Sequence, residues 1–257
     1  MPVPQHLEYR LEGPAGAPVL VLSNSLGATM SMWQPQLAVL QRGFRLLRYN
    51  PRGHGKMPRP LGATHSCTLE RLGRDVLDLL DGLEVERAHF CGISMGGLTG
   101  LWLGVHASHR LHKLVVANSA ARIGSADGWR QRAAQVMAEG MDGVADGAAG
   151  RWFTPAYAAR APRQVAALIG DLRACSPAGY ADCCMALAQA DLRRQLHAIT
   201  APTLLIAGRH DPVTVVDDAR FMQSRIRNAA CVELEASHLS NVEAADDFNR
   251  ALHDFLA

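Results

Sequence analysis

The segment Cys91-Gly92-Ile93-Ser94-Met95-Gly96-Gly97 constrains this chain more than any other. It sets a serine between two glycines in a G-x-S-x-G pattern, with a β-type run over 88–91 before it and a helical stretch over 96–107 after it. A serine at the apex of a sharp strand-to-helix turn is held in a strained backbone conformation that pushes its Oγ outward. Glycine is required at 92 and 96 because side chains there would collide where strand and helix cross closely. The N-terminus of the following helix puts a positive dipole end where a reacting carbonyl oxygen would gain negative charge. Without that context the pattern would be only a glycine-rich turn with an incidental serine.

Such a turn needs a sheet behind it, and the chain supplies one. Residues 19–23 (VLVLS) form a continuous apolar run, as expected for a strand buried on both faces. Further strands are expected over 44–49, 113–118, 203–208 and 231–234, with an alternating edge strand over 7–11. Leu69, Leu72, Val76, Leu79, Leu80 and Leu83 recur at helical spacing, and 244–256 closes the chain as a helix. From 120 to 196 the sequence offers no strand, and Ala, Arg, Gln and Met dominate. Strand-helix alternation predicts an α/β fold: a mostly parallel sheet with helices on both faces. The expected division is a core of 1–119 and 197–257, carrying a helical cap insertion over 120–196.

A serine hydroxyl near neutral pH is a poor nucleophile without a positioned base, and the base needs an orienting acid. Of the eleven histidines, His238 follows a predicted strand directly and precedes the last helix. It therefore lies at the carboxyl edge of the sheet, where Ser94 also lies and where open parallel sheets place their sites. Asp211, in Gly208-Arg209-His210-Asp211-Pro212, reaches the same edge after the strand TLLIAG. Its alternative reading is a turn residue before proline. Ser94, Asp211 and His238 are the expected catalytic set, in the chain order Ser, Asp, His. The backbone N–H of Met95 is one expected oxyanion donor. The loop Ser23-Asn24-Ser25-Leu26-Gly27 supplies the second from Leu26, with Gly27 letting the backbone bend.

With those residues in view, the chain resembles the α/β-hydrolase superfamily over nearly its full length. Asn50-Pro51-Arg52-Gly53-His54-Gly55 is similar to that superfamily's D-x-R-G-H-G turn, with Asn50 in place of Asp. His54 is read as bracing that loop. Within the superfamily, SNSLGATMSMWQPQ, CGISMGGLTG, NSAARIGSADGW, AGRHDPVT and SHLSNVE resemble the 3-oxoadipate enol-lactonases of bacterial aromatic catabolism. The resemblance implies hydrolysis of the enol-lactone to 3-oxoadipate through an acyl-enzyme, without cofactor.

That implied substrate is a small lactone carrying a carboxylate, so a cation is expected near the pocket. Trp129 and Arg132, three residues apart on a predicted helix, share a face. Tryptophan could wall the ring while arginine pairs with the carboxylate. The alternative is a core tryptophan and a solvated arginine. Arg122 and Ser25 are further candidate substrate contacts, and Arg130 is read as solvated. Rival functions left open are a carboxylesterase or other lactonase, a perhydrolase, and a ligand-sensing receptor on the same fold.

Composition narrows the partners. Lys+Arg 26 against Asp+Glu 24 gives a formal net charge of +2. This leaves no basic field for nucleic acid and no pull toward an anionic membrane. No apolar run approaches the roughly 20 residues that span a bilayer. The opening Met-Pro-Val-Pro-Gln-His lacks the basic and apolar regions of a secretory leader, so a cytoplasmic enzyme is expected. The six cysteines form no C-x-x-C pair, and no metal site is expected. Assembly into a homo-oligomer is left open.

Overall fold

The computed structural model describes residues 7–55 and 67–257, so the opening hexapeptide lies outside the described residues. Seven strands form one sheet: β1 (Tyr9–Glu12), β2 (Val19–Ser23), β3 (Arg45–Tyr49), β4 (Ala88–Ile93), β5 (Leu111–Ala117), β6 (Thr203–Gly208) and β7 (Ala229–Leu234). Their order is β1-β3-β2-β4-β5-β6-β7. β1 runs antiparallel to β3, and every other pairing is parallel. β2 and β4 are buried at every position, which is why their sequences are continuous rather than alternating.

Register fixes where the functional loops emerge. Ser23 pairs with Gly92, Ile93 with Ala117, Ala117 with Ile206, and Gly208 with Leu234. The loops after β2, β4, β5, β6 and β7 therefore leave the sheet at one edge.

Helices cover both faces. α1 (Gln34–Leu40) follows a single 3-10 turn over Met30–Trp33, and α2 (Leu69–Gly82) turns Leu69, Leu72, Val76, Leu79 and Leu80 inward. The Thr68 hydroxyl caps α2 by accepting from Arg71 N–H, an arrangement contributing about 1 kcal/mol. α3 (Met95–His106) is buried over Met95–Gly104, since it packs directly on β4 and β5. Six helices fill the strandless stretch: α4 (Ala126–Glu139), α5 (Asp142–Asp146), α6 (Ala148–Trp152), α7 (Pro155–Arg160), α8 (Pro162–Arg173) and α9 (Pro177–Gln189). α4 packs along α9, burying Ala133 and Val136 on α4 while Tyr180, Cys183, Cys184 and Leu187 are buried on α9. α10 (Val216–Arg225), α11 (Ser240–Glu243) and α12 (Ala245–Leu256) complete the chain.

The differences from expectation are local. The edge strand starts at Tyr9 rather than residue 7, because its partners run from Tyr49 back to Leu46. β4 runs two residues further than the apolar pattern suggests, since Gly92 and Ile93 stay paired with Val116 and Ala117. The 3-10 turn and α1 have no counterpart in the sequence reading.

Candidate active site

Ser94 links β4 to α3 with φ 56° and ψ −116°, outside the regions open to most L-residues. Strain of this kind costs on the order of 1–3 kcal/mol and persists only where neighbours over-determine it. Here they do. Ser94 N–H donates to Ala117 C=O at 3.1 Å, and the Ser119 hydroxyl donates to Ser94 C=O at 2.8 Å. The flanking glycines are sterically obligatory. A Cβ on Gly92 would lie 2.2 Å from Gly96 O, and one on Gly96 would lie 2.3 Å from Ser23 O.

His238 sits in the loop after β7, with Nδ1 2.8 Å from Asp211 Oδ2, both side chains buried. A carboxylate can only accept, so Nδ1 carries the proton in this contact. Asp211 is held on every side. Oδ1 takes the N–H groups of Val213 and Thr214 at 2.7 and 3.1 Å, and Oδ2 takes the Thr214 hydroxyl at 2.8 Å. Burial pushes the Asp211 pKa up. The His238 charge and hydrogen bond, with the Val213 N–H and Asn118 amide, outweigh it and hold the carboxyl below its ordinary value.

The loop after β2 lies across this elbow, because Gly96 N–H donates to Asn24 C=O at 3.1 Å. Trp33 Nε1 donates to Asn24 Oδ1 at 2.9 Å, and Asn24 Nδ2 donates to Tyr49 C=O at 3.0 Å. Gly27 has φ 80° and donates its N–H to His54 Nε2 at 2.8 Å. His54 therefore accepts at Nε2 and is neutral, and burial lowers its pKa to about 4. Neither Leu26 N–H nor Met95 N–H donates to another described residue, so both are free for an incoming oxygen. Asn50 does what an aspartate could not. Its Oδ1 accepts Met30 N–H at 2.7 Å while its Nδ2 donates to Glu8 Oε2 at 2.7 Å.

The candidate substrate contacts divide. Ser25 is buried in the loop after β2. Trp129 is half-buried, and its Nε1 donates to Ile123 C=O at 2.6 Å. Arg132 is half-buried, with its charge felt by Tyr180 and Cys184 of α9. Arg122 is exposed, 3.9 Å from Asp191, and Arg130 pairs with Asp127 at 2.8 Å.

Sequence reasoning missed several residues that shape the site. Asn118, just past β5 with φ 42°, donates through Nδ2 to both Asp211 Oδ2 and Ser237 C=O at 3.1 Å, and its Oδ1 accepts from Ser240. Its position directly after a strand ending at the shared edge is the signal that could have found it. Tyr180 is buried against Gly27, and a Cβ on that glycine would meet the ring at 3.1 Å. Arg151, in α6, carried no sequence signal, and Glu243, in α11, entered only as the last residue of SHLSNVE.

Comparison with known proteins agrees with this architecture. A family model described as the alpha/beta hydrolase fold matches residues 18–245. A protein of Acinetobacter baylyi named 3-oxoadipate enol-lactonase 2 is 47% identical over 96% of this chain and 91% of its own length. The 3-oxoadipate enol-lactonase 1 of the same organism is 44% identical over 97% and 92%. The crystal structure of the enol-lactonase from Burkholderia xenovorans LB400 superposes with a TM-score of 0.94. It is 44% identical and covers 97% of this chain and 96% of that one. Sheet order, the turn at residue 94 and these similarities lead to one conclusion: the chain belongs to the α/β-hydrolase fold family.

Proposed function

We propose that this protein hydrolyses 3-oxoadipate enol-lactone to 3-oxoadipate, with Ser94 as nucleophile, His238 as general base and Asp211 as its orienting acid. The observation that carries the reading is the 2.8 Å His238–Asp211 contact at the sheet edge that also presents Ser94. The similarity to proteins named 3-oxoadipate enol-lactonase supports the substrate.

In this mechanism His238 Nε2 takes the Ser94 proton as Oγ attacks the lactone carbonyl. The N–H groups of Leu26 and Met95 receive the oxyanion, a contribution of about 3 kcal/mol per donor. Collapse breaks the bond from the carbonyl carbon to the ring oxygen, and protonated His238 returns its proton to that departing enolate oxygen, leaving an acyl-enzyme that carries the enol and a neutral His238. His238 then deprotonates water, the acyl-enzyme hydrolyses, and the enol tautomerises to the ketone. No cofactor is required.

Residues 120–196 form the cap over this site, and Arg132 is the proposed partner for the substrate carboxylate, with Trp129 walling the ring. Arg132 and Arg151 support an anionic substrate, since neither forms an ion pair with a described residue. Burial, then the Arg132 charge, lowers the Arg151 pKa, so the two guanidinium groups share a region lacking counter-charge. Assays with the enol-lactone, p-nitrophenyl acetate and a neutral γ-lactone test the proposal. Ser94→Ala should abolish turnover while leaving the fold intact. Arg132→Ala should lose the preference for the anionic lactone, by roughly 10- to 100-fold in kcat/KM. Undiminished lactonase activity in Ser94→Ala refutes the nucleophile, and an unchanged preference in Arg132→Ala refutes the carboxylate partner.

A further inference from the structure

Both neighbours of His238 are tied to the helical insertion. On one side, Leu239 N–H donates to the C=O of Trp152, the last residue of α6, at 3.0 Å. On the other, Ser237 N–H donates to Glu243 Oε2 at 3.0 Å. That same oxygen takes Thr154 N–H at 3.2 Å, and Glu243 Oε1 takes the Thr154 hydroxyl. Thr154 is the N-cap of α7, its Oγ1 accepting Tyr157 N–H at 3.3 Å. Tyr157 in turn donates its hydroxyl to Val242 C=O, beside Glu243, at 3.2 Å.

Three donors from two parts of the chain thus converge on one carboxylate, and no described cation pairs with it. The two backbone donors are 83 positions apart in sequence, as 237 and 154, and share no other acceptor. If the insertion lifted away, Ser237 N–H and Thr154 N–H could not both stay satisfied by Glu243. Seating of the insertion and placement of the loop bearing His238 are therefore one cooperative event. The contact is reachable from solvent, because Thr154, Tyr157, Ser237 and Glu243 line a cleft of about 670 Å³.

We propose that Glu243 is a positioning residue: its carboxylate latches the helical insertion to the His238 loop, so that the base is aligned only when the insertion is seated. The proposal rests on the Ser94–His238 reading. Its test measures the rate of Ser94 labelling by a fluorophosphonate probe, with kcat and KM for p-nitrophenyl acetate alongside. Both readouts are independent of the natural substrate.

Glu243→Ala should slow labelling and lower kcat by about 10- to 100-fold, the scale of a misplaced catalytic group, with KM little changed. Glu243→Gln keeps an oxygen for the two backbone donors and should restore most of the rate. Thr154→Val, which removes the hydroxyl arm on the insertion side together with the α7 cap, should fall between. A folded Glu243→Ala labelled at the wild-type rate overturns the latch. Should that variant fail to fold, Thr154→Val decides, and a wild-type labelling rate there overturns it equally. Wild-type protein that takes the probe elsewhere than Ser94 refutes the nucleophile instead.

Discussion

Replacing Asn118 by alanine should cost stability and turnover together, although this residue touches no substrate in the proposed mechanism. Its side chain makes three buried hydrogen bonds: to Asp211 Oδ2, to Ser237 C=O and from Ser240. Neutral bonds contribute about 1 kcal/mol each and a bond to a charged group about 1.5–3 kcal/mol, so the side chain contributes roughly 4 kcal/mol. The backbone adds a second component. Asn118 sits at φ 42°, where alanine pays roughly 1 kcal/mol or more and glycine does not. Asn118→Ala should therefore lose roughly 5 kcal/mol and Asn118→Gly about 1 kcal/mol less. For a chain of this length that corresponds to a melting temperature lowered by roughly 10–20 °C. Thermal unfolding followed by circular dichroism reads both variants, and ester hydrolysis reads the site. Asp211 loses a donor that lowers its pKa, and the Asp211–Ser237 bridge is cut, so kcat should fall by about 10-fold. An alanine variant melting within about 3 °C of wild type, or more stable than the glycine variant, would refute this reasoning.

Two further outcomes follow from the same geometry. Gly96→Ala would drive a Cβ to 2.3 Å from Ser23 O, a backbone atom that cannot swing aside, so it should destabilise by at least about 2 kcal/mol and slow Ser94 labelling. A variant with wild-type melting and labelling would show that the elbow and β2 are not this close. His54 takes up a proton near pH 6.5 when unfolded but only at about 4 when folded, so its contribution is complete above pH 6.5 and is lost as pH falls toward 4. The loss should reach about 3 kcal/mol in denaturant titrations, and a His54→Gln variant with the same pH slope between 6.5 and 4 would exclude this residue as its source.

The sheet is legible in the sequence because its information is local. VLVLS and TLLIAG are apolar at consecutive positions, and that pattern survives any change elsewhere in the chain. The turn at Ser94 is legible for a similar reason, since its glycines are demanded by atoms within four residues and by the strand beside it. Loops after strands are readable as the place where side chains collect, which is how residues 211 and 238 stand out. What was hidden are the bonds between those loops. Asn118 reaches Asp211 across 93 positions, and Thr154 reaches Glu243 across 89. No periodicity records such pairs, because each partner is an ordinary polar residue in its own segment. The element boundaries drifted for the complementary reason: pairing carried β4 through Gly92, a residue with low intrinsic strand preference.

The arginines show the same division in electrostatic form. Helical pitch is enough to put Trp129 and Arg132 on one face, but pitch says nothing about where a counter-charge lies. Only the folded chain reveals that Asp191 stands near Arg122, whereas Asp127 meets Arg130 one turn along α4; both pairs lie on exposed surface where they contribute little. Arg132 and Arg151 lie half-buried on separate helices, and neither forms an ion pair with a carboxylate among the described residues. At Arg151, burial first and the neighbouring Arg132 charge second disfavour the charged form. An anion entering beside Arg151 relieves both costs. Under the proposed function the substrate carboxylate is that anion, which is why its affinity should depend on tertiary neighbours that helical spacing alone cannot identify.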